Sequence, residues 1–166
     1  LLYLQSGDQH PKVVLVTSAE PNEGKTTVTV NLAHTLAFGG SRVLLVDGDL
    51  RKGSLCKMLG LQPSPGLSDL LDDQTMADKV IQTNGVPNVS FIASGKIHRN
   101  PGDAFLSTEL KDLLTAWRQQ YDYVLIDSSP IFAADDAPTL APKVDGVIFV
   151  VRSRFSRARA VSTALE

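Results

Sequence analysis

The sequence predicts an α/β domain of three layers, a central and mostly parallel sheet flanked by helices, and two observations carry that reading. Val13-Val14-Leu15-Val16, Val43-Leu44-Leu45-Val46 and Val124-Leu125-Ile126 are continuous apolar runs, the pattern of strands buried on both faces. Helix-period stripes lie between them: Val28, Leu32 and Leu36 with Ala33 and Ala37 after the first run, and Leu106, Leu110, Leu113, Leu114 and Trp117 before the third. Composition is compatible: 166 residues, 43% hydrophobic and 20% charged, make one globular domain able to bury a core. The net charge of −2 gives no global electrostatic case for nucleic acid, and none is expected as a partner. A single cysteine, Cys56, excludes an internal disulfide framework, fits a reducing compartment and reads as a buried bystander. No apolar run approaches the roughly 18 residues of a membrane span, so the chain reads as a soluble cytosolic piece.

In order, Leu1 to Leu4 reads as the end of a helix and Ser6 to Pro11 as a polar connector, so residues 1–11 lead into a domain over 12–166. Val13 to Thr17 is the first strand. The loop after it, Ala19-Glu20-Pro21-Asn22-Glu23-Gly24-Lys25-Thr26-Thr27, matches the P-loop pattern at every position except the first glycine, which is Ala19. A loop curling over a helix N-terminus aims backbone N–H groups at one point, and the helix dipole adds positive potential there. Glu20, Pro21, Asn22, Glu23, Gly24, Lys25, Thr26 and Thr27 are therefore the candidate nucleotide-binding residues. Gly24 permits close backbone approach, Lys25 reaches the terminal phosphates and Thr26 offers a hydroxyl to Mg²⁺. Ala19 implies a position with no need of positive φ. The class is thus a P-loop NTPase-type three-layer sandwich.

Gly39-Gly40 ends the helix that follows, and Arg42 to Asp47 is the second strand, closing in Asp47-Gly48-Asp49-Leu50-Arg51. Alternate residues of an extended segment point the same way, so both carboxylates can face one site, where they repel unless a cation or proton lies between them. Lys52 to Gln82 reads as short helices: Leu55, Met58 and Leu59 on one face, a break at Pro63-Ser64-Pro65-Gly66, then Leu67, Leu70, Leu71 and a segment around Met76 to Ile81. Val89 to Ala93 is a third strand, followed by a polar loop through Asn100-Pro101-Gly102 in which His98 and Arg99 are exposed by default. Tyr123 to Asp127 is an apolar run ending in an acid, the Walker B pattern, and places Asp127 where it can hold Mg²⁺ through water. Asp135 and Asp136 read as a first helical turn, Gly146 to Val151 as the last strand, and Arg152, Arg154, Arg157 and Arg159 as a solvated helix start.

Together, Gly24-Lys25-Thr26, Val43-Leu44-Leu45-Val46-Asp47-x-Asp49-x-Arg51 and Val124-Leu125-Ile126-Asp127-x-x-Pro130 resemble the bacterial tyrosine kinases of capsule and exopolysaccharide export. The resemblance extends to Pro65-Gly66-Leu67-Ser68-Asp69-Leu70-Leu71, Ala93-Ser94-Gly95, Asn100-Pro101 and Val144-Asp145-Gly146 leading to Val150-Val151-Arg152. It implies the deviant-Walker, MinD-like group of P-loop folds, with ATP and Mg²⁺ as cofactors and tyrosine as phosphoryl acceptor. In that scheme Lys25, Asp47 and Asp49 are catalytic, Asp47 being the base toward the tyrosine hydroxyl. Thr26, Asp49 and Asp127 hold the metal. The residues alone leave Asp47 and Asp49 free to exchange roles.

The resemblance also implies partners: a tyrosine-rich tail of the same or a neighbouring subunit as substrate, a membrane activator or sensor segment, a ring-shaped homo-oligomer and a cognate tyrosine phosphatase. It implies a cytoplasmic domain held at the inner membrane by a fused or partner transmembrane protein. Against that family's pattern the domain reads as truncated at both ends, after an assembly helix and before a tyrosine-rich tail; Tyr3, Tyr121 and Tyr123 are its tyrosines. The alternatives are a MinD- or ParA-like switch ATPase, which usually carries a second lysine where this chain has Glu20, and a catalytically silent ATP-binding scaffold for export.

Overall fold

The computed structural model of the protein describes residues 2–4, 11–72, 77–97 and 100–166. Met76, His98, Arg99 and most of the expected polar connector lie outside these residues. Seven strands form one sheet: β1 (Leu2–Leu4), β2 (Val13–Ser18), β3 (Val43–Asp47), β4 (Ile81–Gln82), β5 (Val89–Ile92), β6 (Tyr123–Asp127) and β7 (Gly146–Val150), in the spatial order β1-β7-β2-β6-β3-β5-β4. The inner five are parallel, and the two edge strands β1 and β4 run antiparallel to their neighbours.

The apolar runs are continuous because each strand feeds two cores. Val13, Leu15, Leu44, Val46, Val124 and Ile126 point into one; Val14, Val43, Leu45, Phe91 and Leu125 point into the other. Helix α1 (Lys25–Phe38) covers the second core, together with α2 (Leu55–Leu59). The first core is covered by α3 (Leu67–Leu71), α5 (Pro101–Phe105), α6 (Thr108–Gln120) and α7 (Asp136–Leu140), with α4 (Ala77–Val80) contributing Val80. Helix α8 (Ala158–Ala164) follows β7. Among the described residues no helix is long and apolar enough to cross a membrane. Cys56 is free and buried, as expected.

Several local expectations are corrected. Leu2–Leu4, read as the end of a helix, is an edge strand paired with Gly146–Ile148, because β7 offers an open edge that a short apolar segment can complete. On α1 the buried stripe is Thr29, Val30, Ala33 and Ala37, while Val28 is 37% exposed. The same helical period fits both stripes, and small residues let α1 lie close on the sheet. Ile81–Gln82 is a strand, and Pro101 opens α5 where a loop was expected, with proline at the position where a helix needs no N–H. Leu106 is consequently outside α6, whose N-cap is Ser107, the hydroxyl accepting Leu110 N–H at 3.4 Å.

The connection β2–α1–β3 passes over β6, which inserts between its two strands. Register then places Val16 beside Asp127 and Asp127 beside Asp47 at the carboxyl edge of the sheet. That edge, where the order in which the chain adds strands reverses, is where such sheets bind ligands.

Candidate functional site

A cleft of about 540 Å³ opens at this edge, lined by Pro21, Asn22, Gly24, Lys25, Thr26 and Thr27 of the P-loop and by segments that follow β3, β6 and β7. A second cleft of about 490 Å³, between α7, β7 and the end of α8, has no ionisable side chain in its wall and so nothing with which to hold an anion. Gly24 has φ of +96°, a left-handed conformation that an L side chain strains, and this turn delivers the N-terminus of α1 to the cleft. Ala19 is buried and lacks positive φ, in agreement with its lack of glycine.

Thr26 Oγ1 donates to Asp127 Oδ2 at 2.6 Å and lies 3.1 Å from Ser54 Oγ; Thr29 Oγ1 is 3.3 Å from Asp127 Oδ1 while donating to Lys25 O at 2.8 Å. The Walker B acid is thus hydrogen-bonded directly to the P-loop threonine. Burial pushes the Asp127 carboxyl up to about 6, against the hydrogen bond from Thr26 and the charge of Lys25. Burial also lowers the pKa of the Lys25 ammonium, opposed by Asp127, Asp49 and Glu23. Lys25 in the cleft wall and the buried Asp127 behind Thr26 both bear desolvation costs, the electrostatic signature of a site completed by a charged ligand.

The structure separates the two acids that the sequence left interchangeable. Asp49 lines the cleft, its Oδ1 accepting the amides of Arg51 at 3.2 Å and Lys52 at 3.0 Å. Asp47 is fully buried beneath that loop: Oδ1 accepts Asp49 N–H at 3.2 Å and Oδ2 accepts Leu55 N–H at 3.1 Å. Desolvation, with the neighbouring Asp127 charge, raises it to about 7. Glu20 and Glu23 do not line the cleft. Glu23 is buried, receives Glu20 N–H at 2.8 Å and the hydroxyl of Ser156, and lies below its usual range: burial raises it, but the bonds from Ser156 and Glu20 outweigh that.

The arginine cluster after β7 is not simply a solvated helix start. Arg152 lines the cleft, donates to Asn22 O at 3.0 Å and lies 4.9 Å from the centre of the Phe155 ring; Arg157 is 3.8 Å from Glu20. Ser156 and Arg152 thereby fasten the P-loop from outside. Arg51, Ser54, Ser129 and Arg152 are cleft residues without a role in the sequence reading. Position after a strand end was the available signal, and only Arg51 and Arg152 stood in a recognised motif.

Hydroxyl and carboxylate oxygens suit Mg²⁺ rather than a soft metal. No three His, Cys, Asp or Glu side chains among the described residues converge as a cage. The fold and this edge define a P-loop nucleotide-binding domain, and residues 12–156 match the AAA domain family.

Within that class the chain belongs to the bacterial tyrosine kinases. It is 40% identical over 145 residues to the putative tyrosine-protein kinase EpsB of Ralstonia nicotianae, covering 87% of this chain and 19% of that protein. It is 34% identical over 161 residues to the tyrosine-protein kinase YwqD of Bacillus subtilis, covering 97% and 68%. The kinase domain of the Escherichia coli tyrosine kinase ETK superposes with a TM-score of 0.89 at 30% identity, over 93% of this chain and 60% of that one. The septum site-determining protein MinD of Pyrococcus horikoshii, solved with Mg-ADP, superposes less closely, at 0.70 and 26% over 84% and 57%. The chain spans about a fifth of EpsB's length.

Proposed function

We propose that this domain binds Mg·ATP in the cleft and transfers the γ-phosphoryl group to protein tyrosine, acting in the control of capsule or exopolysaccharide export. The observation that carries it is the direct bond between Thr26 of the P-loop and the buried Walker B acid Asp127, beside Lys25 and facing Asp49. Phosphoryl transfer asks a protein for positioning, charge neutralisation and one group to orient the nucleophile. Lys25 and the α1 N-terminus hold the phosphates. Thr26, Asp49 and Asp127 would hold Mg²⁺, which supplies charge neutralisation at the phosphate oxygens.

Asp47 is the proposed base. A carboxyl raised to about 7 suits proton transfer near neutrality, and its use requires the 48–54 loop to lift from it. Glu20, at the position of the switch ATPases' second lysine, is near Arg157 instead, which supports the kinase reading over the switch. A tyrosine-rich tail as substrate, a membrane activator, ring assembly, a cognate phosphatase and attachment at the inner membrane complete the reading.

The test is incubation with Mg·ATP and a tyrosine-rich acceptor peptide, with phosphotyrosine and free phosphate measured in parallel. Phosphotyrosine abolished by Lys25→Met supports the kinase; phosphate release without phosphotyrosine, persisting with the family's flanking segments present, supports the switch ATPase.

A further inference from the structure

Asp136 was read as an ordinary first helical turn, yet it is the least explained carboxylate near the cleft, buried behind Ser129 and Arg51 of its wall. It opens α7 and is fully buried. Its Oδ2 accepts the Ser129 hydroxyl at 3.1 Å. Its Oδ1 has no hydrogen-bond donor and instead faces the Arg51 guanidinium, Nη2 lying 3.6 Å away. The Arg51 side chain is 45% exposed and lines the same cleft as Lys25 and Thr26. A buried carboxylate opposite one cation adds little to stability that an apolar pair would not. It does restrict where that cation can be.

The loop bearing Arg51 is held on its own side by Asp49, which accepts the Arg51 and Lys52 amides, and by Gly53 N–H donating to Asp49 O at 2.9 Å. The contact to Asp136 ties this loop to α7, as the contact between Ser54 and Thr26 ties it to the P-loop. At 3.6 Å the pair is an ion pair rather than a closed fork, so the guanidinium, with five N–H donors, keeps donors for a ligand.

We propose that Asp136, oriented by Ser129, is a positioning residue that aims Arg51 into the cleft as a second fixed cation beside Lys25, where it meets charge developing on the transferred phosphoryl oxygens. This rests on the phosphoryl-transfer reading, though the same arrangement serves attack by water.

The test compares Asp136→Asn, Arg51→Ala, the double variant and Ser129→Ala for phosphotyrosine and free phosphate production and for Mg·ADP affinity. Removal of a preorganised charged donor costs on the order of 100-fold in kcat, so Arg51→Ala is expected to fall by about that factor. Asp136→Asn, which keeps the shape and one partner of the carboxylate, is expected to lose on the order of tenfold, with the KM for ATP and the Mg·ADP affinity within about threefold of the parent. The double variant is expected to be no slower than Arg51→Ala, because both changes remove one interaction. Guanidinium ion added to Arg51→Ala is expected to restore part of kcat only while Asp136 is intact.

Additive losses, equal loss of nucleotide affinity and kcat, or parental activity in Asp136→Asn would overturn the proposal. Should Asp136→Asn not fold, Ser129→Ala decides, since it leaves the charge and removes only its orienting bond; unchanged kcat there overturns the proposal as well. If the parent releases phosphate without phosphotyrosine, the kinase reading fails, and the same comparisons on hydrolysis still decide the role of Asp136.

Discussion

Asp127→Asn is expected to stabilise the nucleotide-free domain while removing the stability it gains from Mg²⁺ and nucleotide. The carboxyl titrates at about 6 in the folded domain against an ordinary 3.8. Between those values the folded state holds a proton the unfolded chain has released, so stability falls as pH rises through the window and levels off above it. At pH 8 the ionised acid leaves the domain on the order of 3 kcal/mol less stable than a neutral group of the same shape; near pH 4 most of that difference is gone. The amide introduced by the substitution keeps the Thr26 hydroxyl on its oxygen and donates to Thr29 Oγ1, which already donates to Lys25 O, so no hydrogen bond is lost. Urea denaturation at pH 8 is expected to show a gain of up to about 3 kcal/mol, a rise of roughly 6 to 12 °C in Tm. The gain shrinks toward pH 4, and Mg·ADP, which stabilises the parent, has little effect on the variant. A variant less stable than the parent at pH 8, or a difference independent of pH, would refute the assignment of burial as the dominant cost at Asp127.

Three further outcomes follow from the packing. Ser156→Ala removes the hydroxyl that fastens Glu23 and is expected to weaken Mg·ADP binding about fivefold, near 1 kcal/mol, by calorimetric titration; unchanged affinity would show that the strap does not shape the P-loop. Gly66→Ala would place a Cβ 2.3 Å from Ala93 O and 2.4 Å from Gly95 N, so a loss of about 2 kcal/mol or more is expected in denaturant titration. Phe91→Ala empties a side chain that is 1% exposed and is expected to cost about 3 to 5 kcal/mol, read as a lower denaturation midpoint at unchanged slope.

The sequence by itself determined the sheet and the phosphate loop, since both are local. Burial on two faces demands unbroken apolar runs, and a P-loop is read from Gly24-Lys25-Thr26 between a strand and a helix. It also determined that Asp47 and Asp127 end strands and that Asp49 follows one by two residues, so all three lie at one edge. The different environments of Asp47 and Asp49 were decided by tertiary structure: both stand at the same period, and only the fold of residues 48–55 back over the strand end seals one and leaves the other in the cleft. Arg152, Ser156 and Asp136 were illegible for a related reason. Their partners Asn22, Glu23 and Arg51 are far away in the chain, and nothing in local pattern distinguishes a helix-opening acid in water from one buried against a guanidinium. The edge strand Leu2–Leu4 depended likewise on the open side of β7, a partner that exists only once the sheet has formed.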